Sequence, residues 1–342
     1  MRSQPDRTRV DERPPVASRG RPSSPSEPFG ISVVICSFTE ARWRLLSRAV
    51  ESALTQSQPP EQVIVVVDHD PALLERARTA FGPAEVIAND ESPGLSGARN
   101  AGVRRSTGEV VAFLDDDAEA DPEWLVGMRH AFGQPHVVGV GGLVEPEWTG
   151  TAPSWLPREF HWVVGCSYHG LPVAVQPIRN PIGANMAFRR RAIERAGGFN
   201  AALGRIGSIP LGCEETELAI RVCRRTPGAV VLHVPEARVR HTVPAERTTW
   251  GYYRSRCWSE GLSKAAVTRD VGMGAALQSE RRYVVRTLRQ GVLRGVRDAC
   301  RGDGTGLLRA GAIVAGLIIT TAGYARGRLA TASRGARHDA FR

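Results

Sequence analysis

The sequence predicts an α/β fold: a doubly wound sheet, a looser second half on the same sheet, and a C-terminal helical appendage of different chemistry. Three observations carry that reading. Short β-branched runs alternate with segments of helical length through the first 142 residues, the rhythm of strands buried on both faces and covered by crossover helices. Polar clusters stand directly after those runs, where ligands bind in open α/β sheets. The formal charge of +10 lies wholly in residues 281–342, which hold 13 Arg against Asp298, Asp303 and Asp339.

Residues 1–29 carry six prolines and almost no large apolar side chains, too little to offset the entropy of ordering, so they are expected to form a disordered tail. Strands are expected at I-S-V-V-I-C (31–36), V-I-V-V-V (63–67), E-V-I-A (85–88), V-V-A-F-L (110–114) and V-V-G-V-G (137–141), with helices at 40–55, 71–80, 95–105 and 122–132. Beyond residue 142 the pattern loosens around Trp148, Trp155 and Trp162 until two helices at 214–225 and 247–266. Residues 30–142 and 143–270 therefore read as two halves of one unit. The pair Gly197-Gly198 fits a helix C-cap and a turn.

With 342 residues and 42% hydrophobic content, the chain can bury a core, and global disorder is excluded. A near-neutral first 280 residues argues against a nucleic-acid surface spread over the fold. Six cysteines (Cys36, Cys166, Cys213, Cys223, Cys257, Cys300) show neither C-x-x-C nor zinc-knuckle spacing, which points to a reducing compartment. No secretory signal fits before the apolar run at Ile31, and the bulk of the chain is expected in the cytosol.

The strongest chemical signal is F-L-D-D-D-A at 113–118, an apolar strand running into three carboxylates. Crowded aspartates repel one another unless they are solvated or neutralised, and oxygen ligands favour Mg²⁺ or Mn²⁺. Asp115 and Asp117 can approach one ligand from a single loop. An isolated acidic run could equally be a solvated turn capping the helix near Pro122, but a place after the fourth strand favours the ligand reading.

At this point the chain resembles the inverting family 2 glycosyltransferases with the GT-A nucleotide-sugar-binding fold, a Rossmann-like mixed sheet. The resemblance covers residues 31 to about 265. It rests on S-V-V-I-C-S-F-T-E, V-V-V-D-H-D-P, G-L-S-G-A-R-N-A-G (94–102), G-E-V-V-A-F-L-D-D-D (108–117), G-A-N-M-A-F-R-R (183–190) and G-C-E-E-T-E-L (212–218), in the family's order. It implies that Asp68 holds the nucleotide base, that Thr39 and Glu40 contact the nucleoside, and that Arg99, Asp115 and Asp116 lie along the nucleotide sugar. It further implies that Asp117, with Asp115, coordinates the metal, with the late His241 as a further ligand. Arg99 could instead be a surface residue on a helix packed by Ala98 and Ala101, and His241 could be structural.

The same resemblance gives Glu215 the role of base toward the acceptor hydroxyl. The family's doublet usually reads Glu-Asp, so the longer side chain here leaves Glu214 and Glu217 as possible substitutes. Asn185 is expected on the acceptor side, with Met186 and Phe188 as core. The segment W-G-Y-Y-R-S-R-C-W-S-E-G-L-S-K-A (250–265) resembles one found in members acting on lipid-linked sugars, and its aromatics either stack on sugars or pack. No Q-x-x-R-W occurs, against a processive synthase. The implied partners are a nucleotide-diphosphate sugar and a lipid-linked or glycan acceptor, with no nucleic acid. A polyprenyl-phosphate glycosyl synthase and a catalytically dead membrane scaffold are the alternatives.

In residues 281–300, Val284, Leu288, Val292 and Val296 recur at intervals of four among arginines, the pattern of a basic amphipathic helix. An uncharged run of 16 residues follows between Arg309 and Arg326. At ~1.5 Å per residue it spans roughly 24 Å, short of the roughly 30 Å hydrocarbon core. Residues 271–328 are thus expected to lie in or on an anionic membrane at its cytoplasmic face, with a full span in a thin bilayer as one alternative and a buried helix packed on the rest of the chain as the other. Residues 329–342 are expected to form a second disordered tail.

Overall fold

In the computed structural model, which describes residues 29–203, 212–272 and 280–339, nine strands join in one sheet. They are β1 (Ile31–Ser37), β2 (Gln62–Val67), β3 (Glu85–Ala88), β4 (Val110–Asp115), β5 (Ala118–Ala120), β6 (Val137–Trp148), β7 (Gln176–Ile178), β8 (Asn185–Arg189) and β9 (Val230–Val243). The helices are α1 (Trp43–Leu54), α2 (Pro71–Ala80), α3 (Leu95–Arg105), α4 (Trp124–Phe132), α5 (Arg190–Ala196), α6 (Glu214–Arg225), α7 (Trp250–Val271), α8 (Arg289–Cys300) and α9 (Thr305–Asp339). Of the expected tail over 1–29, residues 1–28 lie outside the described residues, whereas Phe29 packs edge-on against Phe132 at 6.3 Å.

The order is β3-β2-β1-β4-β8-β6-β9-β5, with β7 on β9. The first four strands are parallel; β8 runs antiparallel between β4 and β6, and β6 pairs parallel with β9. The sheet is therefore mixed, and it is continuous through both halves of the chain. Its parallel strands read as unbroken apolar runs because both faces are covered. Ile31, Val33 and Ile35 join one core with Leu46 of α1 and Trp124 and Met128 of α4, whereas Val34, Ile64 and Phe113 join the other with Ala98, Ile193 and Leu218. Each fully buried Val, Leu, Ile, Phe or Met side chain among them contributes roughly 1.5–3 kcal/mol.

Local chemistry sets the helix ends near the site. The Asp70 carboxylate caps α2 at the Leu73 amide with Pro71 in the first turn, and the Thr249 hydroxyl caps α7 at the Tyr252 amide. Gly197 ends α5 in the left-handed region, φ +87°, as its place in the sequence predicts.

Of the C-terminal helices, α9 docks on α7. Glycines set the spacing: a Cβ at Gly261 of α7 would strike the Thr320 carbonyl, and one at Gly323 of α9 would strike the Trp258 carbonyl. Tyr253 donates to the Ala312 carbonyl at 2.7 Å. The expected spacing of four drifts off a 3.6-residue turn, so Leu288, Gly291 and Gly295 are buried while Val296 faces out. Helix α9 also runs through residues 329–339, which composition alone assigns to a tail. Its stretch Thr305–Ala330 is long and apolar enough to cross a membrane, longer than the uncharged run suggests, yet one face is packed on α7 and α8.

Candidate active site

A cavity of about 470 Å³ opens beyond the carboxyl ends of β1, β2 and β4 and extends to α7 and α9. The three aspartates at its floor have three different surroundings. Asp115 is partly exposed, whereas Asp116 and Asp117 are buried. Asp116 accepts from Ser37 Oγ at 2.7 Å and from Arg42 Nη1 at 2.8 Å. Burial first, then the Asp117 carboxylate beside it, push Asp116 up to about 6 against those two donors. Asp116 thereby braces the loop, and its oxygens are spent on the protein.

Antiparallel pairing of β5 with β9 sets Ala118 opposite His241, and the Thr242 amide donates to the Asp117 carbonyl at 2.8 Å. That register delivers His241 Nε2 to 3.1 Å from Asp117 Oδ1. Burial alone would raise the Asp117 carboxyl, but His241, Arg247 and Arg42 hold it well below the usual carboxylate range. Burial likewise would lower the His241 imidazole, and Asp117 instead lifts it to about 10. Donor atoms of Asp115, Asp117 and His241 all lie within 4.8 Å of one another. Two carboxylates and an imidazole within that span fit a divalent cation, which would take the place of the imidazole proton.

Arg99 is 2% exposed and ties three elements together rather than sitting at a surface. Its guanidinium donates to Glu214 Oε1 at 2.9 Å, to Asp115 Oδ1 at 3.3 Å and to the Gly183 carbonyl at 3.2 Å. Glu214 is thereby committed to Arg99, and Glu217 to its ion pair with Arg221 in the next turn of α6. Glu215 is the member of the trio that lines the cavity without a salt bridge among the described residues. Burial, then the Glu214 charge, push its carboxyl from 4.5 up to about 8. Cys213, just before α6, holds a left-handed backbone at φ +71°, and His69, just after Asp68, one at +56°. Both unusual conformations adjoin site carboxylates.

Asp68 lines the cavity with its carboxylate fixed by the Asn89 amide at 2.6 Å and the Gly94 amide at 2.9 Å. Three of the expected site residues lie off the cavity lining. Thr39 lies outside the lining because its hydroxyl caps the turn at the Ala41 amide, and Glu40 points to Arg76 at 3.7 Å. Asn185 is fully buried and off the cavity: it accepts from Trp124 Nε1 and donates to the Leu143 and Ala237 carbonyls, patching the bulge between Gly142 and Leu143. Met186 and Phe188 are core as expected.

Sequence reasoning missed the polar ridge of α7. Tyr252, Arg256, Glu260 and Lys264 recur at intervals of four and all line the cavity, a signal that was present in the spacing. The neighbouring aromatics pack instead: Trp250 stacks on Tyr253 at 5.0 Å, with Trp155 edge-on to both.

The chain matches glycosyl transferase family 2 over residues 32–197. It is 34% identical over 238 residues to the glucosyl-dolichyl phosphate glucuronosyltransferase of Haloferax volcanii, covering 68% of this chain and 76% of that protein. The chain belongs to glycosyl transferase family 2. This glycosyltransferase is also 26% identical over 258 residues to the succinoglycan biosynthesis protein ExoM of Rhizobium meliloti, across 73% and 79% of the two chains. Its fold matches the mannosyltransferase PcManGT from Pyrobaculum calidifontis, solved with GDP-Man and Mn²⁺, with a TM-score of 0.56, 18% identity and 86% and 88% coverage. That likeness is one of fold, the GT-A arrangement. The family match ends before Glu214 and His241, so their place in the glycosyltransferase rests on geometry.

Proposed function

We propose that this glycosyltransferase moves a sugar, with inversion, from a nucleotide-diphosphate sugar to a hydroxyl of a lipid-linked acceptor at the cytoplasmic face of a membrane, in envelope or polysaccharide glycan assembly. The observation that carries the reading is the convergence of Asp115, Asp117 and His241 in one cavity with Glu215. Asp68 would take the base. Asp115, Asp117 and His241 would hold Mg²⁺ or Mn²⁺, which when bound neutralises the charge on the departing diphosphate.

The protein's own contribution is position and proton transfer. Glu215 accepts the acceptor proton as the hydroxyl attacks the anomeric carbon in line, from the face opposite the leaving group. A carboxyl raised to about 8 is a stronger base, once ionised, than an ordinary glutamate. Arg99 offsets part of the Glu214 repulsion on it and holds α6 against the floor.

The lipid-linked acceptor is supported by the relative that acts on glucosyl-dolichyl phosphate and by the wall that α9 contributes to the cavity. The outer face of the appendage exposes Leu293, Leu308, Val314 and Ile318, with Arg282, Arg286, Arg289 and Arg297 also exposed. An apolar face fringed by arginines suits an anionic membrane surface, and docking on α7 favours lying in the interface over spanning. The test is transfer of label from a panel of radioactive nucleotide sugars into a lipid extract: label should enter the organic phase with metal present, and Asp117→Ala should abolish it.

A further inference from the structure

The charges along the cavity are segregated. Among the described lining residues, three arginines stand with six carboxylates at the aspartate end, whereas Arg179, Arg256 and Lys264 stand with Glu260 and Glu280 at the α7–α9 end. The far end is held together tightly. Arg179 donates to both Glu280 oxygens at 2.6 and 2.7 Å, and Lys264 Nζ lies 3.3 Å from Glu280 and 3.5 Å from Glu260. Burial alone would depress the Lys264 ammonium, but Glu260 and Glu280 keep it charged. These five side chains carry three formal positive charges and two negative ones, on a half-buried wall. The cavity lining also includes the apolar side chains of Val284, Leu288 and Leu317 from the appendage. The Tyr324 hydroxyl, also on this wall, is buried with no hydrogen-bond partner among the described residues.

We infer that Arg179, Arg256 and Lys264 form the subsite for the phosphate of an amphiphilic acceptor, whose hydrocarbon chain leaves over Leu288 and Leu317. This rests on the proposed transfer to a lipid-linked acceptor and assigns it a place. The phosphate anchors the lipid between α7 and the 179–183 loop, and the sugar it carries faces Glu215. Guanidinium and ammonium donors are the groups that bind phosphate oxygens with charge-assisted hydrogen bonds. A bound phosphate would add negative charge where the described lining cations outnumber the carboxylates three to two.

The experiment titrates the full chain in detergent with farnesyl phosphate, farnesol and inorganic phosphate by calorimetry, and in parallel with UDP and GDP plus Mn²⁺. Farnesyl phosphate should bind at least about tenfold more tightly than either farnesol or inorganic phosphate. Lys264→Met and Arg179→Gln should each weaken it by about tenfold or more, Lys264→Arg should retain it, and nucleotide affinity should stay within about twofold throughout. Equal binding of ester and alcohol, or variants that keep the ester affinity, would overturn the subsite. Inorganic phosphate binding as tightly as the ester would mark a free-phosphate pocket and overturn it too. If Lys264→Met does not fold, the ester-to-alcohol ratio in wild type and Lys264→Arg decides. Absence of nucleotide binding in wild type would sink the transferase reading of the aspartate end, whereas loss of ester binding alone would sink only this subsite.

Discussion

The Arg99 guanidinium lies 2.9 Å from the Glu214 carboxylate, and through this buried pair the helix after β3 fixes the helix that carries Glu215. Both side chains are nearly inaccessible, at 2% and 6%. Removing one partner of such a pair leaves an uncompensated buried charge, at a cost of about 3–5 kcal/mol. Arg99→Met should therefore be strongly destabilising by urea denaturation, and Arg99→Met with Glu214→Gln should recover a large part of the loss. A double-mutant cycle with no coupling would show that the pair holds nothing.

Glu215→Gln should lower transfer to a hydroxyl by about 10²–10⁴-fold while nucleotide binding persists. Transfer to a phosphate acceptor needs no base, so a variant that kept its rate would mark a polyprenyl-phosphate synthase instead. The same substitution has a stability signature. Because the folded carboxyl titrates near 8 and the unfolded one near 4.5, the folded protein holds a proton that the unfolded chain releases. Stability from this group is complete below about pH 4.5 and is lost as pH rises through 8. The melting temperature of Glu215→Gln relative to wild type should thus climb between those limits, and a pH-independent difference would contradict the raised value.

Asn185→Ala should destabilise the fold by about 2–3 kcal/mol, because it strips partners from the Leu143 and Ala237 carbonyls and from the Trp124 indole. If Asn185 serves structure, activity per folded molecule and acceptor KM should be unchanged. A raised KM without loss of stability would restore the acceptor role that its motif suggests.

The first half of the fold was legible because β1, β2 and β4 are buried on both faces and so read as unbroken β-branched runs. β6 and β9 were harder: their pairing is broken by a register shift at Gly142, where a Cβ would meet the Ala237 carbonyl, and such a bulge has no periodic signature. The aspartates were visible from position alone, but the partition of Asp115, Asp116 and Asp117 among cavity, Arg42 and His241 depends on β5–β9 register. Asn185 shared a motif with the cavity residues Gly183 and Ala184, but it is the first residue of β8, where its side chain is buried against Trp124 and the Leu143 and Ala237 carbonyls. In α7 the aromatic residues drew attention while the polar ridge of Arg256 and Lys264 carried the cavity chemistry.

Membrane association should follow the exposed face of the appendage. Ile318→Glu or Leu308→Glu should reduce flotation with anionic vesicles by about tenfold or more, since each buried aliphatic side chain is worth roughly 1.5–3 kcal/mol. Binding should weaken as salt rises, through the exposed arginines. Flotation equal on neutral and anionic vesicles would remove the arginines from the interaction.

The most direct measurement is a thermal-shift panel of the purified full chain against UDP, GDP, CDP and dTDP, each with and without Mn²⁺, repeated on Asp117→Ala. One nucleotide should raise the melting temperature only with metal present, and the rise should vanish in the variant. No shift with any nucleotide, or a shift that survives Asp117→Ala and the absence of metal, would contradict a metal-bound donor site at Asp115, Asp117 and His241.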